Sequence, residues 1–265
     1  MTEVEGASPS LRSNTTRDME AKLIEMYIDD ALIEKPYPFS VESKGQRERH
    51  FFLYPVTLGK LHLLKRHMEN LEINFENMKT NPHLEALRIV ETKKDEVCKI
   101  IAYHTMKRKK DVFDTELVQE TSDIIKKNAT DEDLATLLIY LLTKDDVESF
   151  KSHLGITKEN ERMRRVSEAK RRAQKSSNDF EFGGKSIYGT LIDLACERYG
   201  WPYDYVIWGI SLVNLQLMLA DRMQSIYVTD EEKKKIQSSI LNDDKDVIKA
   251  DDKANMEKIL AMDWR

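Results

Sequence analysis

Apolar residues recur at spacings of three and four along most of this chain, and strict alternation is confined to one short stretch. Met19, Leu23, Met26, Tyr27 and Leu32 predict a short amphipathic helix over about Thr16 to Glu34. Pro36 and Pro38 end it, because proline lacks the amide donor a helix needs. Phe39 and Val41, then Phe52, Tyr54 and Val56, alternate with polar residues, and Lys44-Gly45-Gln46 between them is turn-like. This predicts a β-hairpin. Leu61, Leu64, Met68 and Leu71 mark the next helix. After Pro82, a longer one carries Leu84, Leu87, Val90, Val97, Ile100, Ile101 and His104, closed by Lys107 to Lys110 at its negative end. A helix over 115–127 stops at Asn128. Thr130 with Asp131, Glu132 and Asp133 reads as an N-cap and acidic first turn. The nearly continuous apolar run Leu134 to Leu142 predicts the central buried helix, and Thr143 to Asp146 restarts a short one that Gly155 terminates.

Thr157 to Ser177 has few apolar residues and dense charge, so it reads as an exposed helix or linker. Ser176, Ser177 and the Gly183-Gly184 pair suggest a flexible join. Beyond it Ile187, Tyr188, Leu191, Ile192, Ala195 and Tyr199 share a helical face, and Gly200 suits the position after a helix. Pro202 suits the first turn of the next helix, with Asp204 at its positive end. Tyr205, Trp208, Leu212, Leu215 and Leu219 then repeat as one stripe. Thr229 to Glu232 reads as a capping box. The expected organisation is a disordered tail over 1–15, a β-hairpin plus helical bundle over 16–156, and a charged linker over 157–184. A small helical hairpin domain over 185–235 and a charged C-terminal region over 236–265 complete it. The fold class is therefore mainly α, with an N-terminal β-hairpin and a second small helical domain.

Composition agrees with long helices: 9 Gly and 6 Pro in 265 residues leave few turns. The net charge of −5 counts against a general nucleic-acid binder. Cys98 and Cys196 lie in amphipathic patterns and read as free thiols in a reducing compartment, with a disulfide between them as the alternative. Met1 to Arg17 is polar and acidic with no apolar leader, and no apolar run approaches the ~20 residues of a membrane span.

Catalytic patterns are not evident. Gly183-Gly184-Lys185-Ser186 lacks the earlier glycine of a phosphate loop. His62 and His67 are five apart and do not align for zinc, and Cys98 and His104 are six apart with no supporting third group. The acid pairs at Asp29-Asp30, Asp145-Asp146 and Asp243-Asp244, and the run at Asp131 to Asp133, mostly suit helix starts. No enzyme, metal or cofactor is expected. Arg162, Arg164, Arg165, Arg171 and Arg172 form a basic run that suits a solvated helix, a phosphate contact or an acidic partner. No aromatic is interleaved there for base stacking. Six aromatic residues fall between Tyr188 and Trp208. Such stripes are usually core, but a hairpin this short has little core of its own. Trp201, Tyr203, Tyr205, Trp208, Leu215 and Met218 are therefore candidates for docking a partner helix.

The stretch Phe51-Phe-Leu-Tyr-Pro-Val-Thr-Leu-Gly-Lys60 leading into a bundle, the charged joint, and Tyr199-Gly-Trp-Pro-Tyr-Asp-Tyr-Val-Ile-Trp208 resemble the tail assembly chaperones of long-tailed bacteriophages. The likeness covers most of residues 36–235 and lies mainly in organisation. It implies a non-enzymatic protein that coats the tape measure protein, self-associates, recruits tail tube subunits and is absent from the finished particle. The host cytoplasm would be its place of action. In many phages the second domain of such proteins is reached by a ribosomal frameshift, whereas both parts here lie in one frame. Two alternatives stay open: a structural head, neck or tail-completion protein, and a helix-turn-helix regulator that binds nucleic acid.

Overall fold

The computed structural model describes residues 9–41, 48–173, 184–222, 225–227 and 229–230. It is mostly helical, with one antiparallel two-stranded hairpin near its N-terminus. The chain divides into two compact units, Met1–Leu154 with Gly183–Arg222, and Gly155–Phe182 with Met223–Arg265.

The first unit opens with helix α1, Pro9–Leu32. It begins within the segment expected to be a disordered tail; residues 1–8 lie outside the described residues. Pro9 fits a first turn, where an amide would have no partner in any case. The hairpin follows as β1, Tyr37–Val41, and β2, Arg49–Leu53, with Phe39 opposite Phe51 and their rings 5.4 Å apart. The expected turn at Lys44 to Gln46 lies outside the described residues. Within β2 the inward positions are Phe51 and Leu53, not Phe52: Leu53 is buried and Phe52 is exposed, while Tyr54 and Val56 lie beyond the strand and Val56 packs on the core. Three apolar residues in succession leave the phase ambiguous, and pairing with β1 settles it.

Helices α2 (Leu58–Asn70), α3 (Phe75–Thr80) and α4 (Pro82–Thr105) come next. α4, rather than the Leu134–Leu142 run, is the hub. It packs on α2, α3, β2, α6 (Thr115–Asn128) and α7 (Asp131–Thr143). Ile89, Val90, Val97, Cys98, Ile100, Ile101 and Ala102 of α4 are all buried. α7 buries Leu134, Ala135, Leu137 and Leu138, while Ile139 to Leu142 are only partly covered. A kink at Lys93 (φ −134°, ψ 33°) interrupts α4. The preceding Thr92 hydroxyl donates to the Arg88 carbonyl at 2.9 Å, a bond that bends helices. Local caps set several ends. Thr130 is the expected N-cap of α7, and with Asp133 it completes a capping box, a motif in which losing the Ncap side chain costs ~1 kcal/mol. Asn74, Asn81, Asp114 and Asp146 cap α3, α4, α6 and α8 (Val147–His153). A short helix, α5 (Lys109–Val112), lies between α4 and α6. Glu85, on α4, is buried and ties α3 down. It accepts from the Asn74 amide at 2.8 Å and from Arg88 at 2.6 and 3.0 Å.

Residues 184–222 return to this same unit instead of forming a separate hairpin domain. A π-helical turn (Tyr188–Asp193) runs into α10 (Leu194–Tyr199). α11 (Tyr203–Trp208) and α12 (Leu212–Ala220) follow. The expected continuous stripe from Tyr205 to Leu219 is broken at Gly209 to Ser211. There the Ser211 side chain caps α12 by accepting from the Asn214 amide at 3.2 Å. Thr57 and Ser211 form an antiparallel bridge, and the Leu212 amide donates to the Val56 carbonyl at 2.7 Å. Leu58 of α2 is fully buried in a second apolar cluster with Ile192, Ala195, Val206, Ile207, Ile210 and Leu215. α1 also engages α12. The Asn214 amide group donates to the Ala31 carbonyl at 3.0 Å, and Glu34, at φ 52°, accepts from the Ser211 amide at 2.7 Å. A non-glycine left-handed residue costs on the order of 1 kcal/mol, and this hydrogen bond helps hold it.

In the second unit, α9 (Ile156–Ala173) is laced by ion pairs along its own surface, and the Lys170 ammonium donates to the Tyr227 carbonyl. The expected C-terminal region 236–265 lies outside the described residues.

Candidate protein-docking site

The aromatic segment is ordered by two glycines. Gly200 adopts φ 64° after α10 and turns the chain so that Tyr199 stacks on Trp201, ring centres 4.6 Å apart. Tyr205 meets Trp201 edge-on at 5.1 Å and lies directly on Gly209, where a Cβ would clash with its ring. The Tyr199 hydroxyl donates to the Met218 carbonyl at 2.9 Å, and the Arg198 guanidinium lies 5.6 Å from the Tyr199 ring.

The six candidate docking residues separate by burial. Leu215 is fully buried and belongs to the second apolar cluster, so it offers nothing to a partner. Trp208 is half-buried and packs against both apolar clusters, with Phe113 edge-on at 5.3 Å and the Lys109 ammonium 5.7 Å from its ring. Lys109 is also ion-paired with Asp204. Trp208 is thus a joint between clusters. Met218 and Trp201 are half-buried, and Tyr203 and Tyr205 are exposed. The stacking of Trp201 with Tyr199 and Tyr205, and the exposure of Tyr203 and Tyr205, leave a small aromatic surface here.

A larger apolar surface lies on α1. Ala21, Ile24, Ile28 and Ala31 form one partly buried face, and α1 packs on α8 and α12. On the opposite side Met19 is 68% exposed, Leu23 47% and Met26 62%. Successive spacings of four and three align these three along one stripe. Leu32 and Ile33 at the helix end are equally open. The sequence stripe Met19, Leu23, Met26 that signals an amphipathic helix is therefore the outer face, and the weaker-looking alanine and isoleucine stripe is the inner one. A helix apolar on two opposite sides is expected to be covered on both.

The first part of the basic run, Arg162 to Arg165, is self-neutralised. Arg164 bonds Glu161 at 2.7 and 3.0 Å and Glu168 at 2.6 Å. Arg165 bonds Glu161 at 3.2 Å, and Arg162 lies 3.6 Å from Glu159. The two guanidiniums hold the Glu161 carboxyl down at about 2. Arg171 is exposed. Such i,i+3 and i,i+4 pairs fit a solvated helix better than a phosphate-binding surface.

Sequence periodicity places His104 on the apolar face of α4 but passes over the burial of Lys60. Lys60, in the first turn of α2, is 3% exposed, and burial followed by repulsion from Lys144 lowers its ammonium to about 8. His104 is buried with its Nδ1 lacking a partner, and burial foremost holds it neutral, down at about 3. A lysine in an otherwise apolar helix start was the available signal. Among the described residues no group of three or more His, Cys, Asp or Glu is placed to hold a metal ion. Among them, too, no helix is long and apolar enough to cross a membrane. Comparison with protein-family models, curated proteins and solved structures finds no match for this chain.

Proposed function

We propose that this chain is a non-enzymatic assembly protein that shields an apolar helical partner. Its resemblance to tail assembly chaperones makes the tape measure protein of a long-tailed phage that partner. The outward stripe of Met19, Leu23 and Met26 carries the reading. Methionine and leucine on one helix face suit adaptable packing against another amphipathic helix. The exposed Tyr203 and Tyr205 would supply a second contact, for a tail tube subunit. Self-association belongs to the same proposal, as does action in the host cytoplasm with absence from the finished particle. The paired arginines of α9 weigh against the nucleic-acid regulator.

The test is coexpression with the tape measure protein. The wild-type chain should keep it soluble and copurify with it. A triple variant, Met19→Glu, Leu23→Glu and Met26→Glu, should fold normally and fail to do so. Equal solubility of the tape measure protein with and without this chain would sink the proposal. Mass spectrometry of purified particles decides between chaperone and virion component, since only the latter stays in the particle.

A further inference from the structure

A cavity of about 300 Å³ opens beside the first turn of α2. Its lining includes Glu34, Tyr54, Thr57, Lys60, Lys107 and Trp208. Lys60 reaches it as a buried side chain. Its Nζ lies 5.9 Å from the centre of the Tyr54 ring, and that of Lys107 lies 5.6 Å from the same ring. Among the described residues no carboxylate lies within ion-pair distance of either ammonium. Lys144, nearby, is paired with Asp145 at 3.2 Å. Glu34 is engaged by the Ser211 amide, and His104 is neutral.

Three unfavourable conditions meet at Lys60. Its side chain is largely withdrawn from water, it sits at the positive end of the α2 dipole, and Lys144 repels it. An anion in the cavity relieves all three conditions at once, and charge-assisted hydrogen bonds from ammonium to oxyanion are the strong kind. We propose that this cavity is an oxyanion-binding site, in which Lys60 and Lys107 together hold a carboxylate or phosphate group beside Tyr54 and Trp208. The site is separate from the outer face of α1, and it stands or falls independently of the chaperone reading.

The experiment is calorimetric and thermal titration of the full chain with inorganic phosphate and, separately, with acetate, at ionic strength fixed with sodium chloride. At least one should bind saturably and raise Tm beyond the chloride control. Phosphate alone marks a phosphate site; acetate marks a carboxylate site. Lys60→Met, which keeps the apolar stem, should weaken binding at least tenfold. Lys107→Gln, at an exposed position, should weaken it severalfold with no loss of fold. Lys60→Arg should bind better than Lys60→Met. Absence of saturable binding by both probes in the wild type, or undiminished binding in folded Lys60→Met and Lys107→Gln, would overturn the proposal.

Discussion

The indole of Trp208 lies flat against Gly59, so close that a Cβ on that glycine would come within 2.7 Å of three ring atoms. The absence of a side chain at Gly59, in the first turn of α2, is what lets α11 approach it. Gly59→Ala should displace Trp208 and destabilise the chain by about 1–3 kcal/mol, the usual cost of overpacking. Trp208→Ala should cost on the order of 3 kcal/mol by leaving both apolar clusters open. Urea denaturation followed by tryptophan fluorescence checks the first, and circular dichroism the second.

The outer face of α1 should behave as a binding surface with little effect on folding. Met19→Glu, Leu23→Glu and Met26→Glu, singly, should each shift stability by no more than about 0.5 kcal/mol, as exposed positions do. Thermal unfolding of the isolated chain is the measurement. A loss several times larger would mean that this face is covered within the chain itself.

Glu85 anchors α3 through charge-assisted bonds, so Glu85→Gln should cost about 1.5–3 kcal/mol at pH 7. The Arg88 hydrogen bond, foremost, holds the folded carboxyl at about 2, below its ordinary 4.5. The carboxylate therefore stabilises the fold above about pH 4.5, and that contribution is lost as pH falls toward 2. The gap between wild type and variant should narrow over that window in denaturant titrations at stepped pH.

Lys60 should show the opposite sign. Its folded ammonium is at about 8 against an ordinary 10.5, so the charged form is penalised only in the folded chain. Below pH 8, Lys60→Met should be more stable than wild type, by on the order of 1–3 kcal/mol. Between pH 8 and 10.5 the folded wild type sheds its proton first, and the advantage should shrink. Chemical denaturation at pH 7, 9 and 10.5 reads this directly.

What the sequence revealed depends on how local each cause is. The Thr130 N-cap, the Asn128 stop and the Gly200 helix end are decided within a few residues, and all are present. The phase of β2 is not local: Phe51, Phe52 and Leu53 are equally apolar, and only the partner strand selects among them. The α1 stripe misleads for a related reason. Methionines and leucines look more core-like than alanines, yet Ala21 and Ala31, being small, fit the inward face close to neighbouring helices. Ser211 was invisible as a helix breaker because its bridge to Thr57 spans most of the chain. Of the docking candidates, Leu215 is indistinguishable in periodicity from its partly buried neighbours Leu212 and Leu219, and only three-dimensional packing places it fully inside.

Leu58 has a consequence for synthesis on the ribosome. It sits in α2, but the cluster that buries it is otherwise built from residues 192–215. Translation delivers Leu58 well over a hundred residues before its neighbours, at ~5–20 residues per second. For several seconds the nascent α2 must leave that leucine, and the bare Gly59 beside it, without the residues that cover them. Docking of α11 and α12 onto α2 can begin only after that delay. A ribosome stalled before residue 192 would leave a chain with its hub assembled and one sticky flank, the species most exposed to aggregation and to capture by cellular chaperones.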